Sequence, residues 1–342
     1  MKFTVRILPL ILLGLLAQTT SAVDTIDLVK GTANGKVTGM TAQEVTLQSG
    51  GRTEKVPVND IESIRFEGEP PELNTARTAA MRGDYDNALK ALAKVAPAAG
   101  TRPEVKQEIE FFRALATARQ ALAGEGEVRE AGNQMRAFVT GNLNSFHFLE
   151  ASEVLGDLYL AAGAFPQAQT EYAKLEQAPW PEMKVRGAIA KGRALQAQGK
   201  PADALAAYDS ALAIADKAAG DQAKKQVITA TLGRAGALAE AGKAEEAIAA
   251  VEKVIAEADP ADAHLHARAY VTLGNCLNKA GRKQDALLAF LHVDVLYFGF
   301  PQEHAEALAN LSLLWQELKN ADRALEARQT LVERYKNSRW AK

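Results

Sequence analysis

The stretch LGDLYLAAGAFPQAQTEYAKL, residues Leu155 to Leu175, contains no His, no Cys and few groups able to do chemistry. What it carries is a spacing: Leu155, Gly156 and Tyr159, then Gly163, then Phe165, Ala168 and Tyr172. Apolar positions three and four apart on both sides of Gly163 predict two amphipathic helices joined by a tight turn. Two helices approach closely only where side chains are nearly absent, so Gly156 and Ala168 mark a contact whose surroundings Tyr159, Phe165 and Tyr172 fill. Gly163 supplies the left-handed backbone that ends the first helix.

The frame returns along the chain. Gly192, Leu195, Gly199, Ala204 and Tyr208 repeat it, followed by Leu238, Gly242, Ala247 and Val251, then Gly274, Leu277, Gly281, Ala286 and Phe290. Earlier copies stand at Gly83, Tyr85, Ala88 and Leu92 and, more weakly, around Gly126, Val128, Ala131 and Met135. A last one holds Trp315, Ala321, Ala324 and Arg328, giving about seven units over residues 69–342. The turn glycines Gly163, Gly199, Gly242 and Gly281 are 36, 43 and 39 residues apart. Such uneven spacing places extra length between units, as in AIADKAAGDQAKKQ before Val227.

These offsets resemble the tetratricopeptide repeat, a helix-turn-helix unit of about 34 residues, with Ser152 where the family carries Trp. The resemblance implies a mainly α fold, a right-handed α-solenoid in which the first helix of each unit lines a concave groove. Carried over position by position, it places Glu150, Glu153 and Asp157 on that groove, then Arg186, Ile189, Arg193 and Gln196. Leu232, Glu240, Arg268, Val271, Asn275, Asn278 and Lys279 follow. The candidate groove residues are therefore Asp157, Arg186, Arg193, Arg268, Asn275, Asn278 and Lys279, acidic at one end and basic in the middle and later units. Such a lining suits an acidic peptide or a C-terminal carboxylate held by charge-assisted hydrogen bonds. The family's chaperone-tail clamp is not reproduced: Asn275 fits it, but Val271 stands where Lys belongs.

Residues 23–68 read differently. Short runs rich in Val, Ile and Thr, such as EVTLQ with Val45 and Leu47 on one face, are separated by Gly, Asn, Asp and Ser. They predict about five strands in a small β-barrel domain similar to SH3-like or Sm-like barrels, since closure would remove exposed edges. Pro70 and Pro71 punctuate the passage into helical text.

Residues 1–22 combine Lys2 and Arg6, the apolar run ILPLILLGLLA and the small-residue ending TTSA. This is the pattern of a secretory signal cleaved near Ala22, and its apolar run is shorter than the roughly 20 residues a membrane span needs. The expectation is export to the periplasm or extracellular space without stable membrane insertion after cleavage. The ending ERYKNSRWAK is similar to repeat endings in bacterial envelope proteins, with Lys336 in place of Pro.

Chemistry is otherwise sparse. With 40 basic against 42 acidic residues and a net charge of −2, no broad positive field gathers nucleic acid. Cys276 is the single cysteine, so no disulfide forms within the chain, and its helical surroundings predict a buried, inert thiol. GALAEAGKA from Gly236 has five residues between Gly236 and Gly242 where a phosphate loop has four, and Ala244 stands where a hydroxyl is needed. His264 and His266 are two apart and diverge on a helix, while His292 and His304 flank the YFGFP loop. No G-x-S-x-G elbow occurs. The expectation is a non-catalytic scaffold of the bacterial cell envelope, without cofactor or metal, that binds a protein or peptide. The alternatives are a ligand- or glycan-binding module or enzyme-associated subunit acting through the β domain, and self-assembly through Trp315 and Trp340.

Overall fold

The computed structural model describes residues 23–95, 100–217 and 221–341, so the leader read over residues 1–22 lies outside the described residues. Strands β1 (Asp24–Leu28), β2 (Gly31–Met40), β3 (Glu44–Ser49), β4 (Arg52–Pro57) and β5 (Ile61–Arg65) form one antiparallel sheet. Its order is β4-β3-β2-β1-β5.

The expected closed barrel is not formed: β4 and β5 remain the two edges of an open sheet. A single 3₁₀ turn, Val58–Asp60, carries the chain from one edge to the other. It is pinned at both ends, by Val58 N–H donating to Gln43 O (2.9 Å) and by Val29 N–H donating to Asp60 O (3.0 Å). Four residues span at most about 14 Å, so the sheet must curl to bring its edges this near. Closure would serve to bury the apolar face, and a helix does that instead. Ile26, Val45, Leu47 and Ile64 share one core with Leu73 and Ala76 of α1 (Pro71–Met81), and that core runs on as far as Leu158.

Charge ties the sheet down as well. The Asp24 carboxylate, 1 % exposed, accepts from the backbone N–H of Val37 (2.7 Å) and Glu67 (2.8 Å) and from both terminal nitrogens of Arg102 (2.8 and 3.2 Å).

Among the described residues seven helix pairs follow: α1 with α2 (Tyr85–Leu92), α3 (Pro103–Leu122) with α4 (Val128–Gly141), and α5 (Phe148–Ala161) with α6 (Phe165–Glu176). Then come α7 (Pro181–Ala197) with α8 (Pro201–Ala215), α9 (Asp221–Glu240) with α10 (Ala244–Glu257), α11 (Ala263–Lys279) with α12 (Lys283–Leu296), and α13 (Pro301–Glu317) with α14 (Ala321–Tyr335). Each helix packs on the next, and from α1 onward the first helices of neighbouring pairs also touch. The irregular spacing has a visible home in α9, which runs for 20 residues.

Every pair turns on one left-handed residue: Gly83, Gly124, Gly163, Gly199, Gly242, Gly281 and, in the last pair, Lys319 at φ 62°. In the second pair the turn glycine is Gly124 rather than the expected Gly126. Glu125 and Gly126 are two extra residues ahead of α4, so Gly126 keeps the spacing to Ala131 while Gly124 makes the turn.

Five residues beyond the turn, or beyond Gly126 in the second pair, an alanine is buried in every unit: Ala88, Ala131, Ala168, Ala204, Ala247, Ala286 and Ala324. The facing glycines are equally constrained. A methyl on Gly156 would run into the Tyr172 ring, one on Gly192 would stand 2.7 Å from Tyr208 Cζ, and one on Gly274 would stand 2.7 Å from Phe290 Cε1.

The coil of helices also returns on itself. A Cβ on Gly124 would lie 2.9 Å from Ser338 N, so the tail after α14 rests directly on the turn of the second pair. That tail doubles back along α14, where Arg328 donates to the carbonyls of Trp340 (3.3 Å) and Ala341 (2.8 Å). Trp340 packs on the C-terminal core. It is half-buried there.

Gly274→Ala is expected to destabilise the fold by about 1–3 kcal/mol through overpacking against Phe290. Gly132→Ala, in α4 with open space around its Cβ position, is expected instead to stabilise it by up to about 1 kcal/mol through helix propensity. Urea midpoints of the two variants check this, and the same sign for both would contradict the packing account.

Candidate functional site

The candidate groove residues lie on α5, α7, α9, α11 and α13, first helices that stand in contact side by side. Near the start of this row, Asp157 is half-buried and accepts from Tyr172 Oη–H (2.9 Å) and Arg193 Nη2 (3.0 Å), with Arg119 Nη1 4.0 Å from its other oxygen. Glu153 is paired with Arg186. The expected basic middle of the groove is thus largely neutralised, because the acids of α5 reach the arginines of α7 one unit further on. Asp157 beside Arg193 raises that guanidinium's pKa, while burial and the Asp157 charge push the Tyr172 phenol up, so both keep their protons.

Behind this cluster runs a buried chain of charge. Arg77, 2 % exposed, donates to Glu69 (2.9 Å from each terminal nitrogen) and to Glu108 (3.2 Å). Glu108 Oε1 meets His147 Nε2 at 2.8 Å, and His147 Nδ1 lies 3.6 Å from Glu150. The His147 ring stacks on Phe111 with centroids 3.6 Å apart. Burial alone would hold His147 neutral, but Glu108 and Glu150 together raise its pKa. Burial opposes charge on Glu150 too, yet His147, Arg186 and Arg119 keep its carboxyl below the usual range.

Further along, Tyr208 donates to Gln196 Oε1 (2.6 Å), and Glu240, desolvated and only partly compensated by Lys279 and Gln196, has its pKa raised. Asn275 Nδ2 donates to Glu306 (2.8 Å), a carboxyl raised by burial more than Asn275 and Arg339 lower it. Asn278 is half-buried and Lys279 exposed, and neither forms an ion pair within 4 Å or a side-chain hydrogen bond among the described residues. Val271 and Leu232 are buried in helix packing and not available to a ligand, whereas Ile189, at 7 % exposed, sits in the core of the fourth and fifth pairs.

Arg268 differs from the other groove arginines. Its one hydrogen bond runs from Nη1 to Thr229 Oγ1 at 3.5 Å, and no carboxylate oxygen lies within 4 Å among the described residues. Burial lowers its pKa; Glu303 and Asp262 offset part of this, and the nearby Arg193 adds to it.

The sequence pattern missed Arg119, Thr229, Glu303, Glu306 and Leu313. Leu313, 58 % exposed, lies six residues before the Lys319 turn, where Asn275 lies six before Gly281. The signal was there, but Ser312 and Lys319 replace the glycines that set the frame in other units.

Other candidate chemistry resolves into structural roles. His264 meets Glu303 (3.2 Å) and stacks on Phe300, whereas His266 is buried against Asp259 O (3.2 Å). His304, 1 % exposed, bridges Asp294 and Tyr335 at 2.8 Å each, and His292 stacks on Tyr270. Among the described residues no three His, Cys, Asp or Glu side chains are arranged to hold a metal ion. Cys276 is buried with its thiol pushed up to about 12 by desolvation, which keeps it protonated and unreactive. A cleft of about 440 Å³ between the sheet and α1 is lined by Asp27, Ser63, Arg65 and Arg77, but Asp27 is already engaged by Ser63 (2.8 Å) and Arg65 (3.3 Å). No helix among the described residues is long and apolar enough to cross a membrane.

Solved structures give the class. The chain is similar to a tetratricopeptide repeat protein from Parabacteroides merdae, with TM-score 0.54 and 16 % identity over 77 % of this chain and 91 % of that one. It is also similar to a Rap protein complexed with Competence and Sporulation Factor (TM-score 0.57, 15 % identity, 77 % and 74 % covered). A third is NprR in complex with its cognate peptide NprX (TM-score 0.51, 14 % identity, 77 % of each chain). No protein-family model matches the chain, and no curated protein does. These likenesses show the fold: an α-solenoid of tetratricopeptide-like helix pairs, here preceded by an open five-stranded sheet.

The raised His147 pKa has a signed consequence. A group whose pKa is higher folded than unfolded stabilises fully below its unfolded pKa, about 6.5, and loses that contribution as pH rises through the folded value. The difference in Tm between the native chain and His147→Gln is therefore expected to shrink from pH 6 to pH 9, and thermal melts across that range check it.

Proposed function

We infer that this chain is a non-catalytic interaction scaffold of the cell envelope that holds an extended segment of a partner protein along its concave wall. The observation that carries the reading is the row of first helices: α5, α7, α9, α11 and α13 stand in contact side by side, and polar and charged side chains recur along them. Two proteins of similar fold are captured with a bound factor or peptide, Rap with Competence and Sporulation Factor and NprR with NprX. The envelope setting is supported by the leader pattern of residues 1–22. Non-catalysis is supported by the paired state of the groove acids and arginines and by the protonated, buried Cys276 thiol.

A photo-crosslinking residue at Asn278, on the channel, and one at Lys253, whose side chain is 73 % exposed on α10, test the reading in living cells. The partner is expected to crosslink from Asn278 and not from Lys253, with the crosslinked peptide mapping to one segment. Capture from Lys253 alone would overturn it. Residues 1–22 fused to alkaline phosphatase are expected to yield active, exported enzyme, and an inactive fusion would remove the envelope assignment.

A further inference from the structure

We propose that Arg268 is the anion anchor of the channel and takes a carboxylate of an extended acidic peptide. This rests on the channel being the peptide-binding site, and adds which chemistry it selects and through which residue.

The case begins with how the other arginines are used. Arg186 is paired with Glu153, Arg193 with Asp157, and Arg234 with Asp209 at 2.7 Å. Each of these cations has its charge answered within the protein. Arg268, at the start of the same wall in α11, donates one long hydrogen bond to Thr229, leaving most of its five N–H donors without a protein acceptor. The neighbouring acids answer it only in part and from beyond 4 Å: Glu303 is turned to His264, and Asp262 accepts from the backbone N–H of Leu265 at the head of α11 (3.0 Å).

Position makes the missing partner matter. Arg268 is half-buried, and Arg193 is close enough to repel it. The Arg268 guanidinium loses water to the surrounding helices while part of the side chain stays open to a solute. A half-buried charge compensated only in part costs stability, and the cost is recovered when an anion arrives. Strain of this kind accumulates where binding requires it.

The fork geometry of a guanidinium selects a planar two-oxygen acceptor, which in a peptide is a carboxylate. Thr229, whose hydroxyl donates to Lys225 O (2.9 Å), and Asn278 lie on the same wall as further polar contacts for the peptide. The carboxylate comes either from an acidic side chain or from the chain terminus, and three synthetic peptides separate these sources.

Isothermal titration at low salt would use acetyl-(Glu)6-amide, acetyl-(Gln)6 with a free C-terminus, and acetyl-(Gln)6-amide. The first is expected to bind and the third not; binding of the second alone would retain the carboxylate anchor and assign it to the terminus. Arg268→Gln is expected to weaken binding at least about tenfold, and Arg268→Lys, which keeps the charge and loses the fork, to weaken it less. Free Arg268→Gln is also expected to melt no lower than the native chain, since it removes a charge without a partner. A purely structural arginine would give the opposite, a lower Tm with binding unchanged, and that result overturns the proposal. So does hexaglutamate binding that is equal in Arg268→Gln and the native chain. Should the Asn278 crosslink persist while all three peptides fail to bind, the channel reading stands and the carboxylate anchor falls.

Discussion

Everything in this molecule depends on how closely two helices can cross. In each unit a small residue on the first helix and a buried alanine on the second let the backbones approach, and the gap beside them takes one large side chain. Tyr208 shows how far one such side chain reaches: its ring closes on Gly192 in α7 and also on Gly233 in α9. Tyr172 likewise fills the space over Gly156, while its carbonyl lies 3.0 Å from where a Cβ on Gly187 would stand. The side chain that seals one pair therefore seats the next. A solenoid follows from repetition of this joint, with stability passed between neighbours. At the last pair the corresponding residue is Arg328, which instead holds the returning tail.

The winding that these joints produce sets the electrostatics of the concave wall. Acids of α5 fall opposite arginines of α7, so charges far apart in sequence neutralise one another across a single step of the coil. The small sheet is drawn into the same body. Its apolar face shares a core with the first three helix pairs, and buried ions fix how it sits: Asp24 with Arg102, and Arg77 between Glu69 and Glu108. Buried pairs of this kind contribute little net stability but tolerate few alternative arrangements once both partners are out of water. The sheet therefore has no need to close on itself.

Helices and turns were legible because they are local events. Gly163, Gly199, Gly242 and Gly281 announce a left-handed backbone that few other residues adopt, and all four are found there. The second and last units were harder to frame. Gly124 was hidden by two extra residues before α4, and Lys319 occupies the left-handed position without any sequence signal. Of the candidate site, the groove positions follow from the tetratricopeptide resemblance, which implies that Arg186, Arg193 and Arg268 stand on comparable faces. It cannot say that two of them are already answered.

The sequence by itself determined the kind of unit and its approximate number, most of the contact residues within each and the change from strand to helix near Pro70, since each rests on periodicity and backbone preference over a few residues. Only the tertiary structure decided whether the sheet closed, where the tail came to rest and which cation kept a free face. Those outcomes depend on distances between segments a whole repeat or more apart. Such distances accumulate from the angle at every joint, and no stretch as short as Leu155 to Leu175 contains that sum.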